Sequence, residues 1–125
     1  SMSNVPDNLH YTSDHEWVLA DGSILTVGIT QYAADALGDV VYVDHPAVGS
    51  SVAAGAIVGE VESTKSVGEI FAPVTGTVTE TNQAVADDPE LINRDPYGEG
   101  WLFKVETTET PELLDATAYQ ALIGE

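Results

Sequence analysis

The feature that most constrains this chain is how often it is interrupted. Short runs rich in valine, isoleucine and other strand formers recur along it, each ended by glycine, proline or a small polar cluster. Runs of that length suit strands better than helices. Glu16 to Leu19 and Ser23 to Ile29 flank Ala20-Asp21-Gly22, and Leu25, Val27 and Ile29 alternate with smaller or polar residues, the pattern of a half-buried hairpin. A helix is expected next. Thr30 is placed to cap it, Ala33, Ala34 and Leu37 share one face, and Gly38 is placed to end it in a left-handed conformation. Val40-Val41-Tyr42-Val43 reads as a strand stopped by His45-Pro46. Ser51 to Val52, Ile57 to Glu62, Val67 to Ala72 and Gly76 to Thr81 continue the series, punctuated by Gly49, Gly55 and Pro73. A polar loop is expected from Gln83 to Glu99 and a further strand from Trp101 to Val105. Thr110-Pro111-Glu112 looks like a helix start, with Leu113, Leu114, Tyr119 and Leu122 as apolar anchors. The spacing predicts a mainly β protein, a small β-sandwich or flattened barrel, with a short helix near 30–37 and a C-terminal helical segment near 110–123.

With 125 residues, 43% of them hydrophobic, the chain has enough material for one core and no room for a second, so residues 1–125 are expected to form a single domain. Ser1 ahead of Met2 reads as a residue added before a natural initiator. No apolar stretch approaches the roughly 20 residues of a membrane span, and the N-terminus lacks the basic-then-apolar pattern of a secretory signal. The protein is therefore expected to be soluble and intracellular. Lack of an Arg-rich transit segment points to a bacterial cytoplasm, the alternative being a mitochondrial matrix. With no cysteine there are no disulfides, thiolate metal sites or cysteine nucleophiles. Three basic residues against 21 acidic ones give a formal net charge of −18. That charge repels phosphate backbones and anionic lipid, so neither nucleic acid nor membrane is an expected partner. Proteins with cationic patches are.

The chemistry concentrates in Gly59-Glu60-Val61-Glu62-Ser63-Thr64-Lys65-Ser66-Val67-Gly68-Glu69, where two strand-like halves meet at small polar residues and Lys65 falls at the turn. A lysine there is expected to project into solvent with no neighbour to fold onto. A group attached to its long stem would reach several active sites while the domain stays rigid. A hairpin-tip lysine is ordinarily just a solvated side chain, and the turn by itself favours that reading.

The wider motif context reverses the balance. The chain resembles the glycine cleavage H-protein family from His15 to its C-terminal segment. The resemblance is carried by His15-Glu16-Trp17-Val18, Val27-Gly28-Ile29-Thr30-Gln31-Tyr32-Ala33, Leu37-Gly38-Asp39-Val40-Val41-Tyr42-Val43 and Gly59 to Ser66. It continues in Ala72-Pro73-Val74-Thr75-Gly76, Leu91-Ile92-Asn93 and Asp95-Pro96-Tyr97-Gly98-Glu99-Gly100-Trp101-Leu102. The resemblance implies a lipoyl-domain-like barrel-sandwich fold, and a carrier with no catalysis of its own, bearing lipoate covalently on Lys65. It also implies partners. A pyridoxal-phosphate glycine decarboxylase (P protein) loads an aminomethyl group, a tetrahydrofolate-dependent aminomethyltransferase (T protein) takes it, and a flavin-dependent dihydrolipoyl dehydrogenase (L protein) reoxidises the dithiol. A lipoate-attaching enzyme must precede them all.

During that cycle the loaded amine needs shelter from water, for which a cleft offering carboxylates is suited. Glu16 matches the family position that faces the loaded arm, and Asp14 and Glu69 match nearby positions that are polar or acidic in the family. Ala36 departs from the pattern of relatives that place a histidine there, so no histidine is assigned to the shelter. For all three acids the competing reading is solvated surface charge. His10, His15 and His45 are too scattered to argue a metal site from spacing, and Tyr97-Gly98-Glu99-Gly100 reads as a turn rather than a phosphate loop. Trp17 and Trp101 read as core or cleft-wall aromatics.

Other carriers fit less well. A lipoyl domain of a 2-oxoacid dehydrogenase tends to have Asp-Lys-Ala at its tip, against Thr64-Lys65-Ser66 here, and a biotin carrier flanks its lysine with methionine, whereas Met2 is the only methionine. An H-like interaction protein, or one that relays lipoate to other acceptors, stays open at this stage.

Overall fold

The fold was obtained as a computed structural model that describes residues 3–125; Ser1 and Met2, on which the reading of an added first residue rests, lie outside the described residues. Nine strands and four short helices follow one another in these residues as β1 (His10–Tyr11), β2 (Glu16–Asp21), β3 (Ile24–Ile29), α1 (Gln31–Leu37), β4 (Val40–Asp44), β5 (Ser51–Val52), β6 (Ile57–Ser63), β7 (Val67–Phe71), β8 (Gly76–Thr81), α2 (Gln83–Asp87), α3 (Leu91–Arg94), β9 (Phe103–Glu106) and α4 (Ala116–Leu122). They form a six-stranded sheet in the order β1-β2-β3-β9-β8-β5 and a three-stranded sheet in the order β4-β6-β7, with every pairing antiparallel. The expected mainly β, flattened barrel-sandwich architecture is the one observed.

Alternation decides which residues fill the space between the sheets. Leu25, Val27 and Ile29 of β3, Val43 of β4, Val61 of β6, Ile70 of β7, and Phe103 and Val105 of β9 are all buried in one cluster. At roughly 1.5–3 kcal/mol for each large apolar side chain taken from water, this cluster is the main source of stability. Val5, Leu9, Tyr11, Trp17, Ala116 and Tyr119 form a second cluster, where both chain ends close over the outer side of β1 and β2. Tyr11 and Tyr119 stack there, with ring centroids 4.7 Å apart.

Several boundaries differ from the sequence reading, each for a local reason. The β2–β3 hairpin turns through Gly22-Ser23, not Ala20-Asp21-Gly22, because Asp21 pairs with Ile24 and Gly22 takes the positive φ of 59° that the tight turn needs. The polar stretch after Asn82 holds α2 and α3, too short for a helical period to show. Asn82 starts α2 by accepting from the Ala84 N–H, while its amide donates to the carbonyls of Glu99 and Trp101. The C-terminal helix begins at Ala116 rather than near Thr110. Leu114 exchanges both backbone hydrogen bonds with Tyr11, at 2.8 Å each, and so cannot enter a helix, and Asp115 then caps it through the Ala118 N–H. Leu113 and Leu114 are thus anchors of the preceding segment, and Leu122 is 49% exposed.

The run Val40 to Val43 is not buried on both faces. A bulge between Val40 and Tyr42 resets the alternation, so that Val40 and Val43 point inward while Val41 and Tyr42 are 53% and 54% exposed.

Trp17 shows how tightly the first hairpin is packed. Its indole lies across the directly paired Gly28, donates from Nε1 to the Pro96 carbonyl at 2.9 Å, and is 2% exposed. A Cβ at residue 28 would fall 2.5 Å from the indole ring. Gly28→Ala is therefore expected to cost about 1–3 kcal/mol, by the usual penalty for overpacking, with a matching fall in the urea midpoint. An unchanged midpoint would show that the indole can be displaced freely.

Candidate functional site

Lys65 lies between β6 and β7, the two strands that run antiparallel with Glu62 opposite Val67. The turn contains no glycine and no positive φ, so side-chain bonding replaces the usual backbone licence. The Ser63 N–H donates to the Ser66 carbonyl at 2.8 Å, and Ser63 Oγ accepts from the N–H groups of Lys65 and Ser66 at 3.2 and 3.0 Å. The tip is tied to the scaffold as well, for the Thr64 N–H donates to the Asp39 carbonyl at 3.1 Å. Asn93 of α3 holds the same stretch from the other side, accepting from the Val40 N–H and donating to the Gly38 carbonyl.

Lys65 is exposed, and among the described residues the ion pairs are those of Arg94, so none ties down the Lys65 amine. The expectation that its stem meets no neighbour is corrected. A Cβ on Gly38 would lie 3.2 Å from Lys65 Cε, so the lysine rests over the glycine that ends α1. Gly38 has φ 85° and ψ −160°, an extended positive-φ conformation essentially restricted to glycine rather than the left-handed helical one expected. Thr30 does cap α1, its hydroxyl accepting from the Ala33 N–H.

Behind the hairpin is a cleft of about 260 Å³ between α1 and β6–β7, with Ile29, Ala33, Leu37, Val61 and Ile70 in its apolar wall. Asp14, His15, Tyr32 and Glu69 supply its polar groups, and Ala36 lines it without one. The Thr12–Glu16 turn brings Asp14 and His15 to this wall. Thr12 Oγ1 accepts from the N–H groups of Asp14 and Glu16, and His15 adopts a φ of 68°, rare outside glycine. The strain is held by bonds on each side: the His15 N–H donates to the Thr12 carbonyl, and its own carbonyl accepts from Thr30. Its ring Nδ1 is 2.8 Å from the Tyr119 hydroxyl, which in turn is 2.8 Å from Thr30 Oγ1. Burial lowers the His15 pKa, with nearby Asp14 opposing it, and burial lifts that of Tyr119 to about 12.

Asp14 and Glu69 therefore border one cleft, while Glu16 sits behind its wall. Glu16 is 1% exposed, and its two carboxylate oxygens accept from the Thr12 hydroxyl at 2.8 Å and the Phe71 N–H at 3.0 Å. The second bond joins β2 of the large sheet to β7, the edge strand of the small one. Sequence reading did not single out His15 or Tyr32 for the cleft, nor Asn93 as a brace. The only signals were their places inside the quoted motifs. Of the two tryptophans, Trp17 belongs to the core, and Trp101 lies under the Lys104 amine, 5.2 Å from the ring centroid. His45 is a partly buried side chain whose pKa is lowered by burial.

A β scaffold that holds an exposed lysine amine beside a small cleft has the form of a carrier. The comparisons with known proteins agree. The family model described as glycine cleavage H-protein matches residues 9–125. The glycine cleavage system H protein of Clavibacter sepedonicus is 60% identical over 118 residues, covering 94% of this chain and 96% of that protein. That of Beutenbergia cavernae is also 60% identical, over 95% of this chain and 96% of the relative. A crystal structure of a glycine cleavage system H protein from Mycobacterium marinum superposes with a TM-score of 0.90 at 46% identity, covering 97% of this chain and all 100% of that one. The chain belongs to the glycine cleavage H-protein family, as the sequence resemblance indicated. It is accordingly a non-catalytic carrier component of the glycine cleavage system, in a family that works with the P, T and L proteins and for which lipoate attachment is implied.

Burial pushes the Glu16 carboxyl from 4.5 up to about 7, against the opposing pull of its bonds from Phe71 and Thr12. The sign follows from linkage. Below pH 4.5 the carboxyl is protonated whether the chain is folded or not; between 4.5 and about 7 the unfolded chain loses the proton first, so stability falls as pH rises, and above that the loss is complete. Glu16→Gln is expected to remove this component. Relative to wild type it should gain stability between pH 4.5 and 7, by up to about 3 kcal/mol, as read from urea unfolding at a series of pH values. A stability difference that does not vary with pH would rule the carboxyl out as its source.

Proposed function

We propose that this chain carries lipoate as an amide on Lys65 Nζ and serves as the shuttle of the glycine cleavage system, acting as one lipoyl-carrier unit over residues 1–125. The observation that carries the reading is the exposed Lys65 amine, outside any ion pair among the described residues, at a hairpin tip braced to Asp39 and beside a cleft. When attached, the lipoyl group supplies the disulfide–dithiol chemistry by which the aminomethyl group of glycine passes from the decarboxylase to the aminomethyltransferase and electrons pass to dihydrolipoyl dehydrogenase. The residues present suit such a group. The apolar wall fits an aliphatic chain, and the nearby carboxylates fit a cationic amine at its end.

In this reading the chain's own residues position and shelter. The β6–β7 hairpin holds the tether, and the wall of α1 excludes water from one side of the cleft. Asp14 faces a bound amine directly, Glu69 stands at the rim of the cleft on β7, and Glu16 acts from beneath, by charge and by holding β7 in place through Phe71. The bacterial origin of the relatives supports a bacterial cytoplasm as the setting.

Lys65→Arg keeps the charge but removes the acylatable amine. In a system reconstituted with the P, T and L proteins it is expected to reduce glycine decarboxylation to background, while stability changes by less than about 0.5 kcal/mol, as for an exposed surface site. Full activity in that variant would refute the assignment. For the shelter, Glu16→Ala is expected to hasten loss of the aminomethyl group from the loaded carrier without preventing lipoylation, followed by formaldehyde release. An unchanged decay rate would take Glu16 out of that role.

A further inference from the structure

The outer face of the three-stranded sheet carries two cross-strand rows. Tyr42 of β4, Glu62 of β6 and Val67 of β7 are directly paired in the row next to the Lys65 turn, and Asp44, Glu60 and Glu69 form the next one. Their inward counterparts Val43, Val61 and Gly68 face the core side, so both rows share the outward face. The first row leaves Tyr42 and Val67 each 54% exposed, and the bulge at its edge adds Val41 at 53%. The second row sets like charges directly opposite one another, an arrangement that weakens a sheet. Among the described residues the ion pairs belong to Arg94, and the other two cations of the chain are Lys65 itself and Lys104, the latter at the ring of Trp101. Among the described residues these acids have no salt-bridge partner, and the apolar side chains beside them stay open to solvent.

We propose that this face, centred on Tyr42 and Val67, is the docking surface for the enzyme that acylates Lys65, a partner whose active-site mouth is apolar with a basic rim. The proposal rests on the reading of Lys65 as the acylated residue. Geometry singles out that partner. In the acylation step the neutral amine nitrogen bonds to the carbonyl carbon of an adenylate-activated lipoate, AMP leaves with the electron pair of the broken C–O bond, and the amine's proton passes to a base. The nitrogen must therefore enter the enzyme, and the row two to three residues back from it along β6 and β7, about 7–10 Å at strand rise, must lie against the enzyme's surface. Enzymes that act on a loaded arm meet its reactive end displaced by the whole lysyl and acyl chain, and need not touch this face. An exposed tyrosine is among the residue types enriched at interface centres, and acids around it select a basic partner and speed its approach.

The test uses the unlipoylated full chain with a bacterial lipoate–protein ligase, ATP and lipoate, and follows the mass of the Lys65 peptide. Tyr42→Asp and Val67→Asp are each expected to lower kcat/KM about tenfold or more, mainly through KM, the size expected at an interface centre. Asp44→Asn with Glu60→Gln should slow the reaction and flatten its salt dependence. Val48→Asp, at a side chain 61% exposed in the loop before β5, should react like wild type. Competition covers any variant that folds poorly as an acceptor. The Lys65→Arg chain should inhibit lipoylation of wild type, and adding Tyr42→Asp to it should relieve the inhibition. Wild-type rates for the Tyr42 and Val67 variants would overturn the proposal. So would normal lipoylation accompanied by slow turnover with dihydrolipoyl dehydrogenase, which would assign the face to a different partner. A wild-type chain that never gains mass on Lys65 would instead sink the carrier reading itself.

Discussion

The position of Lys65 depends on one short stretch of backbone, Gly38 to Val40. Asn93 bonds to it at both ends, through the Gly38 carbonyl and the Val40 N–H, and the hairpin tip hangs from its middle through the bond from Thr64 to the Asp39 carbonyl. Three elements distant in sequence, α1, α3 and β6–β7, thereby share one reference point. A side-chain amide suits this place because it offers a donor and an acceptor in fixed geometry to two backbone groups that would otherwise go unpaired as the chain passes from helix to strand. The lysine side chain is exposed, whereas the backbone beside it is bonded at three points.

The cleft is assembled the same way, from pieces that are each ordinary and become special by being held. His15 occupies a conformation that costs roughly 1–3 kcal/mol in free peptide terms, and it persists because Thr12, Thr30 and Tyr119 each bond it. Tyr119 belongs to the C-terminal helix and to the second apolar cluster, so the packing of the chain ends reaches the cleft wall through one hydroxyl. Glu16 does comparable service on the other side. An edge strand normally leaves backbone donors facing water, and here a buried carboxylate takes the Phe71 N–H instead.

Much of this was legible in the sequence because much of it is local. Alternation placed Leu25, Val27 and Ile29 in the core, Thr30 announced α1, and the turn around Lys65 stood out between two runs of strand formers. What escaped reading is set by partners far along the chain. Leu114 looks like a helix anchor until Tyr11 takes both its backbone groups. Asn93 looks like a loop residue, and Asn82 drew no reading at all, until the groups they serve arrive from 55 and 17 residues away. Val40 to Val43 reads simply as a strand, and only the bulged pairing with β6 shows that Val41 and Tyr42 turn outward together. Glu16 was singled out from the family pattern alone; that its oxygens are spent on Thr12 and Phe71 is a matter of tertiary placement.

The absence of a side chain at Gly38 has one more effect. Because the stem of Lys65 lies back across that residue, 3.2 Å from where a methyl group would stand, a chain extended from its amine does not begin its excursion pointing straight outward. Its first atoms lie beside the glycine that ends α1, the helix that walls the cleft. Rotation about the lysine's own bonds is enough to release it. A single missing methyl thus leaves the room in which the lysine stem lies against the scaffold.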